Sequence, residues 1–428
     1  MFLLVAAQVH AAAVVFEGAR LIFNTRLAPI ENSAFIAENG RIVKVGRRGD
    51  LKVPAGAQRV DLTGKTVMPA LIDPHVHLGY QKDASYAVEN FTRENVIDQL
   101  NRYAYAGVSA VMSLGTDING VELEIRNEGK TATRLFTAGR GFAMPNAGPG
   151  TPAMRGSSIG VTTEAEARQG VRDQIAKKVD IIKIWVDDRN RTVQKLSPPL
   201  YRAIIDEAHK HGARVVAHVY YLVDAKELAK AGVNAFAHLV RDQELDEEAI
   251  KLIKQHDIFI MPNLGVAEER THALVPDWLD DPLFRAVTPQ AIVDKMRAAY
   301  LARTQESLAP SQRTYRIMQR NLALLNQAGA TIGFGADSGA VPDYFHAFNT
   351  HRELQLMVEA GMTNSQALTA ITATSAQFLR MSDHGTLDQG TSADFLVLDA
   401  NPLEDIRNTR KIAKVYLRGE EIDRSRRP

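Results

Sequence analysis

A chain of 428 residues with 45% hydrophobic and 24% charged residues is long enough for one large domain plus an accessory module, and this composition excludes a disordered or collagen-like protein. Lys plus Arg (51) nearly balance Asp plus Glu (50), so no strong field attracts nucleic acid or an anionic membrane, and a small molecule is the expected partner. The absence of cysteine excludes disulfides, thiolate metal sites and a cysteine nucleophile.

The first residues, 1–13, are apolar and end in small side chains, with Val9 and Ala11 placed like the −3 and −1 positions of a signal-peptidase site. This segment is either the remnant of a secretory signal or a first strand. The first alternative places the protein in the periplasm or outside the cell, and the second in the cytoplasm. No apolar run reaches the length of about 20 residues that spans a bilayer, so we expect no membrane-embedded part.

Short alternating apolar segments between residues 14 and 67 predict a small all-β element. Turn signals separate them at Glu38-Asn39-Gly40, Pro54-Ala55-Gly56 and Thr63-Gly64-Lys65. Near the other end of the chain, a helical pattern at 362–379 is followed by strand-like segments at 393–397 and 412–417. We expect residues 14–67 and 381–428 to combine into a β-sandwich.

Between these terminal segments, apolar strand-like runs alternate with helical patterns, which is the order of a parallel α/β fold. Eight runs follow this pattern, at residues 67–76, 108–114, 135–138, 181–186, 215–219, 235–240, 258–261 and 332–334. They lack the polar alternation of an exposed antiparallel sheet, which indicates that both faces are covered. The sequence therefore predicts a (β/α)8 TIM barrel over residues 68–380.

The helix between the fourth and fifth runs has the clearest sequence signals. Ser197 is placed to cap its start, Pro198 lies in its first turn, and Gly212 can end it. Its apolar stripe consists of Tyr201, Ile204, Ile205 and Ala208. We therefore expect this helix to pack its stripe against the barrel.

Histidines and an aspartate close several of the predicted strands. His75 and His77 end the first run two residues apart, so both imidazoles face one side of the strand and can converge on one ion. His218 and His238 close the fifth and sixth runs, and Asp337 follows the eighth. Singly, such residues usually make a structural hydrogen bond or a turn. Their shared position at the carboxyl ends of barrel strands, where barrel active sites form, predicts a metal site instead.

Lys183 lies in the otherwise apolar fourth run, and we expect it, like the histidines and Asp337, at the carboxyl end of its strand. Burying an ammonium group is costly, and a lone lysine at this position is expected to extend its amine towards water. The alternative is a buried, uncharged amine that reacts with carbon dioxide to give a carbamate, whose two oxygens could bridge two cations. The histidines and the aspartate on the other strands favour the carbamate.

The order HxH, Lys, His, His, Asp resembles the binuclear, carbamylated-lysine branch of the amidohydrolase superfamily, over nearly the whole chain. Similar stretches are GKTVMP at residues 64–69, which leads into the first run, and GTSADFLVL at residues 390–398. Residues 218–238 resemble prolidase-type and imidazolonepropionase-type members most. Ala70 and Leu239 replace glycines that many members have, and neither is a predicted ligand.

The resemblance implies a metal-dependent hydrolase that cleaves an amide bond by attack of a metal-bridging hydroxide, and a homo-oligomeric assembly. The implied ligands are His75, His77, Lys183, His218, His238 and Asp337. Lys183, as a carbamate, would bridge two divalent ions, with the HxH pair and Asp337 on the more buried ion and the two later histidines on the exposed one. Asp337 would also be the catalytic residue that moves a proton to the leaving nitrogen. Zinc suits these ligands, although manganese, iron or cobalt would fit the same donors.

Three segments could shape the substrate pocket: residues 140–149, the pair Tyr220-Tyr221, and a long helical insertion at 266–325. Arg140, Arg189 and Arg241 lie just beyond strand ends, and one of them could bind a substrate carboxylate bidentately. We therefore predict an N-acyl amino acid or a dipeptide as substrate, with Arg140, Tyr220 and Tyr221 as its contacts.

Two other functions stay open. A lactonase or phosphotriesterase could use the same centre, because a hydroxide and two Lewis acids act on any such electrophile. A noncatalytic barrel that serves as a binding protein belongs to a different class. The complete set of expected ligands disfavours it.

Overall fold

The computed structural model describes residues 13–344 and 346–428. The predicted signal remnant, residues 1–13, lies outside these residues except for Ala13, which is buried. Within the described part of the chain, no helix is long and apolar enough to cross a membrane.

The N-terminal region is all-β, as its alternating pattern predicts. Its strands are β1 (Val14–Glu17), β2 (Arg20–Leu21), β3 (Ser33–Glu38), β4 (Arg41–Arg47), β5 (Gln58–Asp61) and β6 (Thr66–Pro69). Asn39 and Gly40 join β3 to β4 with φ angles of 50° and 74°, which is the backbone of a tight two-residue hairpin turn. Four of the strands form one sheet, in the order β4-β3-β1-β5.

The middle of the chain contains short strands, most of which are parallel. They are β7 (Leu71–Val76), β8 (Gln81–Lys82), β9 (Ser85–Tyr86), β10 (Val108–Ser113), β11 (Arg134–Thr137), β12 (Phe142–Ala143), β13 (Ile159–Gly160), β14 (Ile182–Val186), β15 (Val215–Val219), β16 (Ala235–Ala237) and β17 (Phe259–Met261). Two parallel sheets result, one in the order β11-β10-β7 and the other in the order β13-β12-β14-β15-β16-β17, while β8 and β9 form a separate hairpin.

The predicted eighth strand is reduced to two bridges. Ile332 pairs with Ile260 of β17, and Ser338 pairs with Val76 of β7, so this segment contacts both parallel sheets. Between these two bridges the N–H groups of Gly333 and Asp337 donate to Ile260 and His75 of the neighbouring strands, whereas Gly335 and Ala336 bond to side chains. The amide nitrogen of Asn263 donates to the carbonyl of Gly335, and the backbone N–H of Ala336 donates to Asp73. These bonds replace a regular ladder just before Asp337.

Helices separate the parallel strands. They are α1 (Arg93–Tyr105), α2 (Val121–Glu128), α3 (Glu164–Ala176), α4 (Pro198–Lys210), α5 (Leu222–Lys230), α6 (Glu247–Gln255), α7 (Gly265–Glu268), α8 (Pro282–Val287), α9 (Gln290–Leu301), α10 (Gln305–Gln327), α11 (Phe348–Glu359), α12 (Asn364–Thr369) and α13 (Ser375–Phe378). The predicted insertion corresponds to α7–α10. In α4 the predicted stripe is buried, but the Ser197 side chain makes no capping hydrogen bond, so that part of the prediction is wrong.

Strands from both ends of the chain share one sheet. The last strands are β18 (Phe395–Leu398), β19 (Ile412–Leu417) and β20 (Glu420–Glu421), and the sheet order is β2-β6-β18-β19-β20. Here the first apolar run divides at Ala70, whose N–H donates to the carbonyl of Asp394, so β6 pairs with β18 and β7 pairs with β10. The ring of Phe16 in the N-terminal sheet lies 5.0 Å from that of Phe395, which joins the two β sheets.

Candidate metal centre

Five of the six predicted ligands lie at the carboxyl ends of the parallel strands. His75 and His218 are in the last two residues of β7 and β15, and His77 and His238 come directly after β7 and β16. Asp337 directly precedes Ser338, which bridges to Val76 of β7, and its N–H donates to the carbonyl of His75 over 2.8 Å. The sixth, Lys183, departs from the prediction because it is the second residue of β14. Only its long side chain can bring the amine to the level of the other ligands.

Asp337 lies between the two histidines of the HxH motif. Its Oδ1 is 3.1 Å from Nε2 of His75 and 3.2 Å from Nε2 of His77. The backbone reinforces this arrangement, because the N–H of His77 donates to the carbonyl of Ser338 over 2.8 Å. All three ligand side chains are buried, so their donor atoms face one another in a space that excludes bulk water.

His238 brings a third imidazole to the carboxylate. Its Nδ1 is 4.0 Å from Oδ2 of Asp337, and its ring centroid is 5.3 Å from that of His75. The donor atoms of His75, His238 and Asp337 all lie within 4.8 Å of one another, a spacing that one cation could fill. These three residues therefore form the core of a possible metal site.

The hydrogen bonds behind His75 fix which of its nitrogens carries the proton. The Asn263 amide nitrogen donates to the Gly335 carbonyl over 2.7 Å, so Oδ1 of Asn263 is the atom that lies 3.1 Å from Nδ1 of His75. That oxygen can only accept, which places the proton of a neutral His75 on Nδ1 and leaves a lone pair on Nε2. Two acceptor atoms, Nε2 of His75 and Oδ1 of Asp337, thus face each other over 3.1 Å.

Such a pair of facing acceptors needs a cation between them. Nε2 of His75, Nδ1 of His238 and Oδ1 of Asp337 are all buried and have no hydrogen-bond partner among the described residues. Buried polar atoms normally have a partner, because leaving one without costs about 1 to 3 kcal/mol. A divalent ion would satisfy all three atoms. The residues present therefore fit a metal.

The protonation states also suit a metal. Burial lowers the pKa of His75 to about 3 and holds that of His238 well below its usual value. Burial alone would raise the pKa of Asp337, but the neighbouring imidazoles of His75 and His77 outweigh it and keep the pKa well below its ordinary range. At neutral pH, His75 and His238 are uncharged and the carboxylate is ionised. These are the forms that bind metals.

Three non-glycine residues at this site have a left-handed backbone. The φ angles are 85° at His238, 52° at Asn263 and 58° at Asp337. A side chain is strained in this region, at a cost of about 1 to 3 kcal/mol per residue. Each of these residues follows a parallel strand or a bridge to one, so the strain is concentrated where the ligands converge. It also explains why the predicted run at 235–240 ends as a strand at Ala237.

Lys183 is fully buried, with 1% of its surface exposed. Glycines make room for it: a Cβ atom at Gly115 would lie 2.8 Å from Cγ of Lys183, and one at Gly141 would lie 3.0 Å from the same atom. Burial lowers the pKa of the amine to about 7, although the charge of Asp337 opposes this. The position therefore holds an amine that is substantially uncharged at neutral pH. On the sheet it pairs with Val216, two residues before His218.

Asp187, directly after β14, holds His218. Its Oδ2 lies 3.1 Å from Nε2 of His218, and its Oδ1 accepts the N–H of Arg189. Burial would raise the pKa of Asp187, but the bond and charge of His218 lower it below the ordinary value. With Nε2 donating to this carboxylate, Nδ1 is the nitrogen of His218 that could take a cation. The His218 ring is 4.5 Å from that of His238.

Asp187 and Asn263 are candidate site residues that the sequence analysis did not identify. Both are polar and follow an apolar parallel strand by one or two positions, which is the same signal that identifies His238. The HxH, Lys, His, His, Asp motif identifies the predicted ligands and does not include the side chains that form hydrogen bonds with them. Thr116, 3.0 Å from Nδ1 of His77, belongs to the same group.

The three predicted substrate contacts have different surroundings. Arg140 donates to the carbonyls of residues 156, 157 and 158 over 2.9 to 3.1 Å, which holds that loop in place. The Tyr221 hydroxyl donates to Asp188 over 2.7 Å. Tyr220 packs on Tyr221 and lies 5.8 Å from the guanidinium of Arg241. All three contacts stay predictions.

Comparisons with known proteins give a family match, sequence relatives and a similar solved structure. The family model described as Amidohydrolase family matches residues 66–422. The chain is 26% identical to ochratoxinase of Aspergillus niger, over 94% of this chain and 85% of that protein. It is 24% identical to imidazolonepropionase of Deinococcus radiodurans, over 92% of each. The crystal structure of a provisionally assigned prolidase from Bifidobacterium longum superimposes with a TM-score of 0.79 at 26% identity, over 97% of this chain and 96% of that one.

Proposed function

From the premise that this chain belongs to the amidohydrolase family and is a hydrolase of carbon–nitrogen bonds, we propose that it cleaves the amide bond of an N-acyl amino acid or a dipeptide at a centre of two divalent ions. The observation that carries the metal part is the pair of facing acceptors, Nε2 of His75 and Oδ1 of Asp337, which are buried without a proton between them. Amide-hydrolysing relatives support the reaction class.

His75, His77 and Asp337 would hold one ion, and His218 and His238 the other. Two such ions, which we propose to be zinc, would supply a hydroxide at neutral pH and polarise the scissile carbonyl. Lys183 would bridge them as a carbamate. Its uncharged amine takes up carbon dioxide, forming a nitrogen–carbon bond and releasing one proton.

The residues of this chain then have distinct tasks. Asp337 accepts a proton from the attacking water and returns it to the leaving nitrogen, which departs as an amine. Asn263 and Thr116 hold the rings of His75 and His77 in the orientation that directs Nε2 at the site. Asp187 does the same for Nδ1 of His218.

For the fold, we propose that the two parallel sheets and the bridge segment close into a (β/α)8 barrel over residues 68–380. The bridges from Ile332 to Ile260 and from Ser338 to Val76 support this closure. We further propose that residues 14–67 and 381–428 form a β-sandwich, which the packing of Phe16 on Phe395 supports.

The substrate class is tested by a panel assayed with zinc-loaded enzyme. The panel contains N-acyl amino acids, dipeptides, lactones and phosphotriesters. We expect turnover of the amides, with kcat/KM above that of the other classes by at least about 100-fold. Preferential turnover of lactones or phosphotriesters would replace this function with one of its alternatives. A protein that binds metal and hydrolyses none of them would contradict the proposal.

Replacing Asp187 by alanine should weaken the binding of one metal ion by about 10- to 100-fold, because His218 loses the bond that orients it. Titration of metal-free protein with zinc against a chromophoric chelator measures this directly. Asp188→Ala is the matched control, since this neighbouring carboxylate contacts Tyr221 instead of a histidine. Equal affinities in the two variants would show that Asp187 does not position a ligand.

A further inference from the structure

Arg241 is a partly buried arginine whose guanidinium has no counter-ion among the described residues. Its Nε and Nη2 atoms are buried without a hydrogen-bond partner, and none of the carboxylates in the described residues lies within ion-pair distance of it. A charged group without a partner in such a position is costly, because no carboxylate compensates for the hydration that its buried atoms have lost. We propose that Arg241 binds the carboxylate of the substrate and so restricts the enzyme to amides that have one. This role rests on the proposed function.

Arg241 lies close in the chain to two of the predicted metal ligands. It lies three residues after His238, and its N–H donates to the carbonyl of Tyr220 over 2.9 Å. The guanidinium carbon is 5.8 Å from the Tyr220 ring, so the ring restricts where the group can turn. Arg241 is therefore anchored on the loops that follow β15 and β16, the two strands that carry His218 and His238.

The two carboxylates whose charges act on Arg241 already contact histidines. Asp337 and Asp187 are the acidic groups whose charges act on Arg241. Asp337 faces the imidazoles of His75 and His77, and Asp187 bonds to His218. Neither closes an ion pair with the guanidinium. The guanidinium therefore lacks an anionic partner, which a bound substrate would supply.

A carboxylate has the right shape for the two unpartnered atoms. Nε and Nη2 lie on one edge of the planar guanidinium and donate in parallel, which matches the two oxygens of a carboxylate. A substrate bound this way places its amide beside the ligands of the neighbouring strands. The amino-acid half of an N-acyl amino acid or dipeptide, which holds its carboxylate one carbon from the amide nitrogen, meets this requirement.

The other two arginines just beyond strand ends have hydrogen-bond partners for their guanidinium groups. Arg140 donates to three backbone carbonyls, and Arg189 donates through Nη2 to the carbonyl of Asn146 over 2.8 Å. Arg241 is thus the arginine of the three whose side chain makes no hydrogen bond to the described residues. This observation selects it over Arg140, which the sequence analysis favoured.

The test compares matched substrates in wild type and Arg241→Met. The probes are N-acetyl-L-alanine, N-acetyl-L-leucine, N-acetyl-L-phenylalanine and N-acetyl-L-proline, each with its α-carboxamide. We expect wild type to prefer the carboxylates by on the order of 100-fold in kcat/KM. Arg241→Met should lose about that factor on the carboxylates, change less than about threefold on the carboxamides and keep its metal. Arg241→Lys should recover part of the preference.

Arg214→Met is the matched control, because that guanidinium is also partly buried and lies 4.5 Å from the ring of Phe378, and the residue precedes β15 at the end opposite His218. It should leave the turnover of both substrate series unchanged.

Equal losses on carboxylates and carboxamides in Arg241→Met, or loss of metal, would overturn the proposal and assign Arg241 to the metal centre. Equal wild-type turnover of both series would overturn it while the proposed function stands. No turnover of either series, or of the dipeptides in the substrate panel, would overturn both.

Discussion

Lys183→Ala is expected to lower turnover by at least about 1000-fold and to reduce the metal content below two ions per chain. The lysine is fully buried, and its pKa of about 7 allows the uncharged amine that a carbamate requires. Removing it deletes the bridging anion and leaves two like-charged ions unscreened at short range. Metal analysis and kcat/KM on the best amide substrate are the two measurements.

A structural lysine would behave differently. Its replacement would change the unfolding temperature and leave metal content and turnover close to those of wild type. Lys226→Ala is the control, because this lysine forms ion pairs with Asp246 and Glu248 far from any predicted ligand. Bicarbonate should accelerate the reactivation of metal-free wild type, and acetate or propionate could restore part of the activity of Lys183→Ala. A Lys183→Ala protein with two ions and wild-type turnover would end the carbamate hypothesis.

Asp337→Asn is expected to reduce kcat by at least about 1000-fold while the protein stays folded. The substitution keeps the shape of the side chain and removes the charge on which the proton transfer and one metal ion depend. Asparagine cannot accept a proton at this position, and its amide nitrogen is no metal ligand. The unfolding temperature of the metal-free variant should stay close to that of metal-free wild type.

Asp343→Asn is the control for that experiment. Asp343 belongs to the same loop and also has a positive φ, of 66°, but its carboxylate pairs with Lys295 at the surface. It should retain metal and turnover. If Asp337→Asn hydrolysed the substrate at the wild-type rate, Asp337 could be neither the proton carrier nor an essential ligand.

Much of the fold follows from local patterns in the sequence. The run at 215–219 matches β15, and the segment at 412–417 matches β19, because both are apolar and flanked by clear helix or turn signals. The match to the amidohydrolase family, over residues 66–422, confirms the resemblance to that superfamily. Its solved relatives confirm a TIM-barrel-type α/β fold.

Boundaries set by tertiary contacts could not be predicted in this way. Ala70 divides an uninterrupted apolar run because its N–H bonds to Asp394, more than 300 residues later in the chain. The eighth strand is shortened because the carbonyl of Gly335 accepts from the Asn263 amide and the N–H of Ala336 donates to Asp73. Hydrophobic periodicity reflects local structure and does not predict such long-range contacts.

For the site too, the sequence predicts the residues at the strand ends and does not predict the tertiary contacts between strands. Position at the predicted strand ends selected His75, His77, His218, His238 and Asp337, because side chains that close parallel strands point to a shared edge. Lys183 was expected at a strand end, and the structure puts it near the start of β14, since a long side chain can reach the site from a lower level. The bond between Asp187 and His218 joins two strands, so no local pattern contains it.

The most direct test of the account is anomalous diffraction from crystals of the zinc-loaded protein, with data collected on both sides of the zinc absorption edge. The account predicts two zinc peaks about 3.5 to 4 Å apart. One lies beside His75, His77 and Asp337, the other lies beside His218 and His238, and density extends from Nζ of Lys183 between them. A single peak, or an unmodified Lys183 between two peaks, would contradict the bridged two-metal centre.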